Sequence, residues 1–208
     1  MDKLIEQLIE QKYLKSPQII ESFNKIKRAD FLPEEIVKEK GEEFINQYNA
    51  PIPIGYNQTI SQPLTVAFML ELLQPMEGDK ILDIGSGSGW QTTMLCNIVK
   101  ENGFIYAIEK ILELKDFGQN NLNKYNFKNV EFICGDGSKG LSSEALFDKI
   151  IAAASAQEIP LAWKEQLKIG GRLVMPIKNS IWLLIKKGDN EFEEKEYPGF
   201  SFVPLVKE

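Results

Sequence analysis

The residues best placed to do chemistry lie in one glycine turn, Ile81-Leu82-Asp83-Ile84-Gly85-Ser86-Gly87-Ser88-Gly89-Trp90. A short apolar strand runs into it and a helix leaves it. Glycine has no Cβ to hold a ligand away, so alternate glycines here predict close approach of backbone to a bound molecule. Asp83, Gly85, Ser86, Gly87, Ser88 and Gly89 are the candidate contacts. Glu109 ends a second apolar run, and a carboxylate about 20 residues past such a turn can accept hydrogen bonds from ribose hydroxyls. Asp136-Gly137 ends a third. Two cofactor classes compete for this turn. A dinucleotide fingerprint, G-x-G-x-x-G, wants a third glycine where the chain has Trp90, so the spacing departs from the pyrophosphate pattern.

The chain contains no histidine. That excludes Ser-His-Asp triads, Cys-His dyads, histidine metal sites and a histidine general base. Two cysteines, Cys96 and Cys134, make no zinc cluster by themselves, and no metal is expected. Their apolar neighbours predict buried free thiols in a reducing compartment. A net charge of −6 weighs against a dedicated nucleic-acid binder, because phosphate contacts need basic surface. No run approaches the ~18 apolar residues of a membrane span, and the first residues carry no signal-peptide pattern. A cytoplasmic protein without membrane contact is the expectation.

The elements that must position these residues follow from periodicity. Leu4, Ile5, Leu8 and Ile9 predict one N-terminal helix, and Ile19, Ile20, Phe23 and Ile26, after Ser16-Pro17, a second. Prolines and glycines predict an irregular connection over 31–58, long enough to suggest function. A helix is expected after Pro63. Strands are expected at 80–84, 104–108, 130–134, 148–152 and 171–176, alternating with helices at 91–99, 111–124 and 161–167. This alternation predicts an α/β fold with a doubly wound, mostly parallel sheet covered on both faces. Residues 181–206 predict two or three antiparallel strands with a charged turn at Gly188-Asp189-Asn190. One domain is expected over 1–208, with a helical and substrate-loop region at 1–78 and the sheet at 79–208.

The spacing Asp83-x-Gly85-x-Gly87-x-Gly89 resembles motif I of class I methyltransferases, which have a Rossmann-like fold. The resemblance implies S-adenosylmethionine as cofactor and S-adenosylhomocysteine as product. It places Asp83 near the amino-acid end of the cofactor, and Asp136-Gly137 beside the adenine. Segments elsewhere narrow the family. Arg28-Ala29-Asp30-Phe31-Leu32-Pro33 and Pro53-Ile54-Gly55-Tyr56-Asn57-Gln58-Thr59-Ile60-Ser61-Gln62-Pro63 are similar to blocks of the protein-L-isoaspartate O-methyltransferases. So are Phe147-Asp148, Ile159-Pro160, Leu167-Lys168-Ile169-Gly170-Gly171-Arg172-Leu173-Val174 and Phe202-Val203-Pro204-Leu205. Two positions depart: Trp90 stands where the family usually has tyrosine, and Ser201 where its last block commonly has arginine.

The resemblance implies transfer of a methyl group to the α-carboxylate of L-isoaspartyl residues in damaged proteins, with repair through a succinimide. It makes Ser61 the catalytic residue and Gln58, Thr59 and Ser61 the substrate contacts. Taken alone, Ser61 also suits an N-cap before the Pro63 helix. Isoaspartyl peptides and proteins are the expected partners. A monomer is expected, a dimer through the N-terminal helices being the other arrangement. The rival readings are a methyltransferase of the same fold acting on a small metabolite or RNA, and a non-catalytic S-adenosylmethionine-binding protein. Ala152-Ala153-Ala154-Ser155 lacks the Asn/Asp-Pro-Pro-aromatic motif of base-methylating enzymes, which counts against the RNA reading.

Overall fold

The computed structural model describes residues 2–205. Helices α1 (Lys3–Glu10) and α2 (Pro17–Lys25) open the chain. Helices α3 (Glu34–Lys40) and α4 (Glu42–Gln47) and the hairpin β1 (Ile52–Gly55)–β2 (Gln58–Ile60) come next, followed by α5 (Pro63–Leu73). The alternating part is β3 (Lys80–Ile84), α6 (Trp90–Val99), β4 (Phe104–Glu109), α7 (Leu112–Asn123), β5 (Val130–Cys134), β6 (Phe147–Ala152), α8 (Leu161–Glu165) and β7 (Leu167–Ile177). It closes with β8 (Ser180–Gly188) and β9 (Glu191–Pro198).

Strands β3 to β9 form one seven-stranded sheet in the order β5-β4-β3-β6-β7-β8-β9. The first five pair in parallel, and β8 and β9 add antiparallel strands at one edge. Strand β3 lies where the order reverses, β4 on one side and β6 on the other. Ligand crevices of doubly wound sheets open at the carboxyl end of such a strand. Alternation along each strand divides the core between the faces. Ile81, Ile105, Ile151 and Val174 join the larger cluster with α5, α6 and the N-terminal helices. Leu82, Ile84, Ile150 and Leu173 join Trp163 of α8 on the other face.

The N-terminal helices pack on the helical layer of the sheet. Glu71 of α5 accepts hydrogen bonds from Lys15 N (2.7 Å), Ser16 N (2.7 Å) and Ser16 Oγ (2.8 Å). Ser22 of α2 donates to Met94 O of α6 at 3.3 Å. Ser16-Pro17 does start a helix, but the Ser16 hydroxyl reaches α5 and makes no cap.

The segment 31–58, expected to be irregular, instead holds α3, α4 and the β1–β2 hairpin. The reason is that α3 only half-buries Ile36 and Val37 and α4 fully buries only Ile45, so neither carries a repeating apolar stripe. Charge supports α3 instead, with Glu34 and Glu35 in its first turn and Lys38 and Lys40 in its last. The C-terminal region forms two antiparallel strands and an extended tail. Val206, the last residue of that expected stretch, lies outside the described residues. Cys96 is buried as expected, but Cys134 is exposed at the end of edge strand β5. Among the described residues no helix is long and apolar enough to cross a membrane.

Candidate active site

A cavity of about 390 Å³ opens at the carboxyl ends of β3, β4, β5 and β6. Its floor is the turn after β3, where Gly85, Gly87 and Gly89 all have positive φ (78°, 51° and 83°). L side chains rarely adopt that conformation, so glycine is favoured there. Close approach adds a second requirement: a Cβ on Gly89 would meet Gly118 O of α7 at 2.6 Å. Gly85, Ser86, Gly87 and Ser88 line the cavity, and Gly89 lies behind it at the start of α6.

Glu109 holds this turn from β4. Its Oε2 accepts the Gly87 N–H at 2.9 Å and its Oε1 accepts the Ile111 N–H at 3.0 Å. The carboxylate thus sits on the cavity wall, bonded to backbone at both oxygens.

Asp83 is placed differently. Strand parity puts it on the same face as Ile81, under α6, and it is fully buried. Its carboxylate accepts hydrogen bonds from Gln91 Nε2 (2.9 Å) and Thr92 Oγ1 (2.7 Å), and it does not line the cavity. Burial raises its pKa to about 6, against the lowering effect of those two bonds. Gln91 does line the cavity, so Asp83 reaches the ligand space through Gln91.

Asp136 caps the short 3-10 turn Gly137–Lys139, its Oδ1 accepting Ser138 N–H at 2.9 Å. Its neighbours Gly135 and Gly137 line the cavity, while Asp136 itself does not. Gly137 presses on Ile84 so closely that a Cβ would overlap that side chain.

The opposite wall is β2 and the residues after it. Gln58, Thr59 and Ser61 all line the cavity, with Thr59 exposed and the other two half-buried. The hairpin turns on Tyr56-Asn57, both at positive φ (52° and 57°), as a tight two-residue loop demands. Ser61 is not the helix cap. Gln62 takes the N-cap position, and Asn49 Oδ1 accepts the Leu64 N–H at 3.0 Å. Among the described residues the Ser61 hydroxyl makes no hydrogen bond, which leaves it available to a ligand.

The cavity fits an adenosyl ligand on three grounds. Its volume lies in the usual range for small-molecule sites, about 300–1,000 Å³. Glu109 presents carboxylate oxygens beside apolar Ile108 and Ile111. Among the described residues the buried Ser86 hydroxyl on the floor has no partner, and an unpaired buried hydroxyl costs free energy until something bonds it.

The family model described as protein-L-isoaspartate(D-aspartate) O-methyltransferase matches residues 1–208. The chain belongs to this family. A protein-L-isoaspartate O-methyltransferase of Flavobacterium psychrophilum is 42% identical over 204 residues, covering 97% of this chain and 92% of that protein. One from Methanopyrus kandleri is 37% identical over 212 residues, covering 100% and 91%. The crystal structure of a Plasmodium falciparum protein in complex with S-adenosyl-L-homocysteine has the same fold, with a TM-score of 0.85 at 22% identity, covering 100% of this chain and 98% of that one.

Several wall residues of this methyltransferase were not among the expected site residues: Gln91, Lys110, Ala153, Ala154 and the tail Ser201–Leu205. The tail arrives by long-range pairing. Ser155 N donates to Val203 O at 2.8 Å, and Leu205 N donates to Ser155 O at 2.7 Å. Only the family-like block at 202–205 signalled that it mattered. Ser201, in place of the commoner arginine, lies exposed on the cavity wall.

Proposed function

We propose that this chain transfers the methyl group of S-adenosylmethionine to the α-carboxylate of L-isoaspartyl residues in damaged proteins. The observation that carries the reading is the placement of two walls across one cavity. The Gly85–Ser88 turn and Glu109 form one wall, and the unspent Ser61 hydroxyl stands on the other. Glu109 would hold the ribose hydroxyls, Ser86 and Ser88 the polar atoms of the cofactor, and the Gly135–Gly137 backbone the adenine. Asp83 supports the turn from behind through Gln91. When bound, S-adenosylmethionine supplies an already activated electrophilic methyl group.

The chain's own part is then orientation. An α-carboxylate has a reference pKa of about 3.3–3.7, so it is ionised at neutral pH without a general base. A chain with no histidine suits that chemistry. Ser61 donates one hydrogen bond to the carboxylate and takes no proton from it. Gln58 and Thr59 shape the same lip. Holding nucleophile and methyl carbon at about 3–3.5 Å in line is worth several orders of magnitude in rate. The walls come from both 1–78 and 79–208, which supports their acting as one domain. A monomer in the cytoplasm, without nucleic acid or membrane, completes the proposal.

The test is transfer of radiolabelled methyl from S-adenosylmethionine to an isoaspartyl peptide, with its aspartyl isomer as control. Base-labile product on the isoaspartyl peptide alone is expected. Label on neither peptide, or equal label on both, contradicts the acceptor assignment.

A further inference from the structure

Arg28 is buried to 3% exposure, and no carboxylate forms a salt bridge with it among the described residues. Among the described residues its guanidinium bonds only to backbone carbonyls. Nη1 donates to Tyr48 O at 2.6 Å, and Nη2 donates to Ala50 O at 2.7 Å, to Ser61 O at 3.0 Å and more weakly to Ile60 O at 3.4 Å. Tyr48 and Ala50 precede the β1–β2 hairpin, while Ile60 and Ser61 end it. One planar cation therefore ties both feet of the hairpin to a single point.

The same group reaches the cofactor side. Its central carbon lies 5.6 Å from the centre of the Trp90 ring, and Trp90 is the first residue of α6, directly after the glycine turn. Trp90 is itself held, its Nε1 donating to Ile26 O at 3.3 Å. Burying a cation without an anion is costly, and burial lowers the Arg28 pKa to about 10. A scaffold contact needing only bulk would be met at less cost by an apolar side chain.

We infer that Arg28 is a positioning residue for methyl transfer, fixing the Ser61 backbone against the glycine turn so that the Ser61 hydroxyl faces the reacting atoms. This inference rests on the proposed role of Ser61 at the acceptor site. Lysine cannot replace arginine here, because an ammonium is a point donor and lacks the planar fork that spans both hairpin feet.

The experiment compares wild type with Arg28→Lys, and with Arg28→Gly with and without ethylguanidinium. It measures kcat and KM for an isoaspartyl peptide, S-adenosylhomocysteine affinity by calorimetry, and folding by circular dichroism. Arg28→Lys is expected to lower kcat at least 30-fold while S-adenosylhomocysteine affinity stays within threefold. Ethylguanidinium is expected to restore at least tenfold of the loss in Arg28→Gly. The inference is overturned by a kcat within threefold of wild type, by a parallel loss of cofactor affinity, by absence of rescue, or by failure of both variants to fold. Wild type separates the two levels. No labelled product from wild type defeats the acceptor reading and this inference with it, whereas normal wild-type product beside an unimpaired Arg28→Lys defeats this inference alone.

Discussion

The Glu109 carboxylate clamps the Gly87 backbone N–H at 2.9 Å, so the end of β4 sets the shape of the turn that ends β3. The two strands run in parallel register, Ile84 beside Ile108, which brings that carboxylate to the turn without a strained reach. Replacing Glu109 by Gln keeps one acceptor and turns the other into a donor facing a backbone N–H. A lost hydrogen bond to a charged group is worth about 1.5–3 kcal/mol. Glu109→Gln should therefore weaken S-adenosylhomocysteine binding roughly 10- to 100-fold, measured by calorimetry. Unchanged affinity would contradict the proposed contact between Glu109 and the cofactor.

Gly118 of α7 meets the turn from the other side. A Cβ there would lie 2.7 Å from Gly87 O and 3.2 Å from Gly89 N. In an open helix, Gly to Ala would gain about 1 kcal/mol, but overpacking typically costs 1–3 kcal/mol. Backbone on the far side cannot rotate away, so the clash wins. Urea denaturation of Gly118→Ala should show net destabilisation of about 1–2 kcal/mol with weaker cofactor binding. A stabilised variant would show that α7 can draw back.

Much of this architecture was legible in the chain because its carriers are local. The apolar runs at Lys80–Ile84 and Phe104–Glu109, and the three glycines between Ile84 and Trp90, announce strand, turn and helix without reference to distant residues. Helices α3 and α4 were not legible, since helices this short, with Ile45 buried and Ile36 and Val37 half-buried, leave no periodic trace. The place of the tail, though not its presence as a block, was hidden for another reason: the pairing of Ser155 with Val203 and Leu205 is long-range. Asp83 lay between. Its place in the motif marked it for the ligand, but its parity with Ile81 turns it beneath α6, where Gln91 and Thr92 hold it.

That burial has a pH signature. Asp83 titrates near 6 in the folded protein, against an ordinary value of 3.8. A carboxyl raised on folding binds its proton more tightly in the native state, so its contribution is most favourable below the unfolded value and is lost as pH rises toward about 6. Between about pH 5.5 and about pH 7.5 the loss is about 1 kcal/mol. Asp83→Asn cannot ionise. Urea unfolding at the two pH values should show it losing about 1 kcal/mol less than wild type over that interval. Identical pH dependence in both proteins would place the titration elsewhere.

The proposed mechanism puts Ser61 on the acceptor side, and among the described residues its hydroxyl is committed neither to the α5 cap nor to another side chain. Ser61→Ala should lower kcat on an isoaspartyl peptide about 30-fold, the value of one hydrogen bond to a charged group. Its S-adenosylhomocysteine affinity should change less than twofold. Steady-state kinetics and calorimetry on one preparation decide the matter. Equal losses in both would make the residue a support for the hairpin and not a contact to substrate.

The cavity between the Gly85–Ser88 turn and the Ser61 loop is the ground on which every other assignment stands. Isothermal titration of the folded wild-type protein with S-adenosylhomocysteine tests it most directly. One molecule bound per chain, with saturable heat, is the predicted result. Absence of binding to protein whose fold is verified in the same sample would contradict the account.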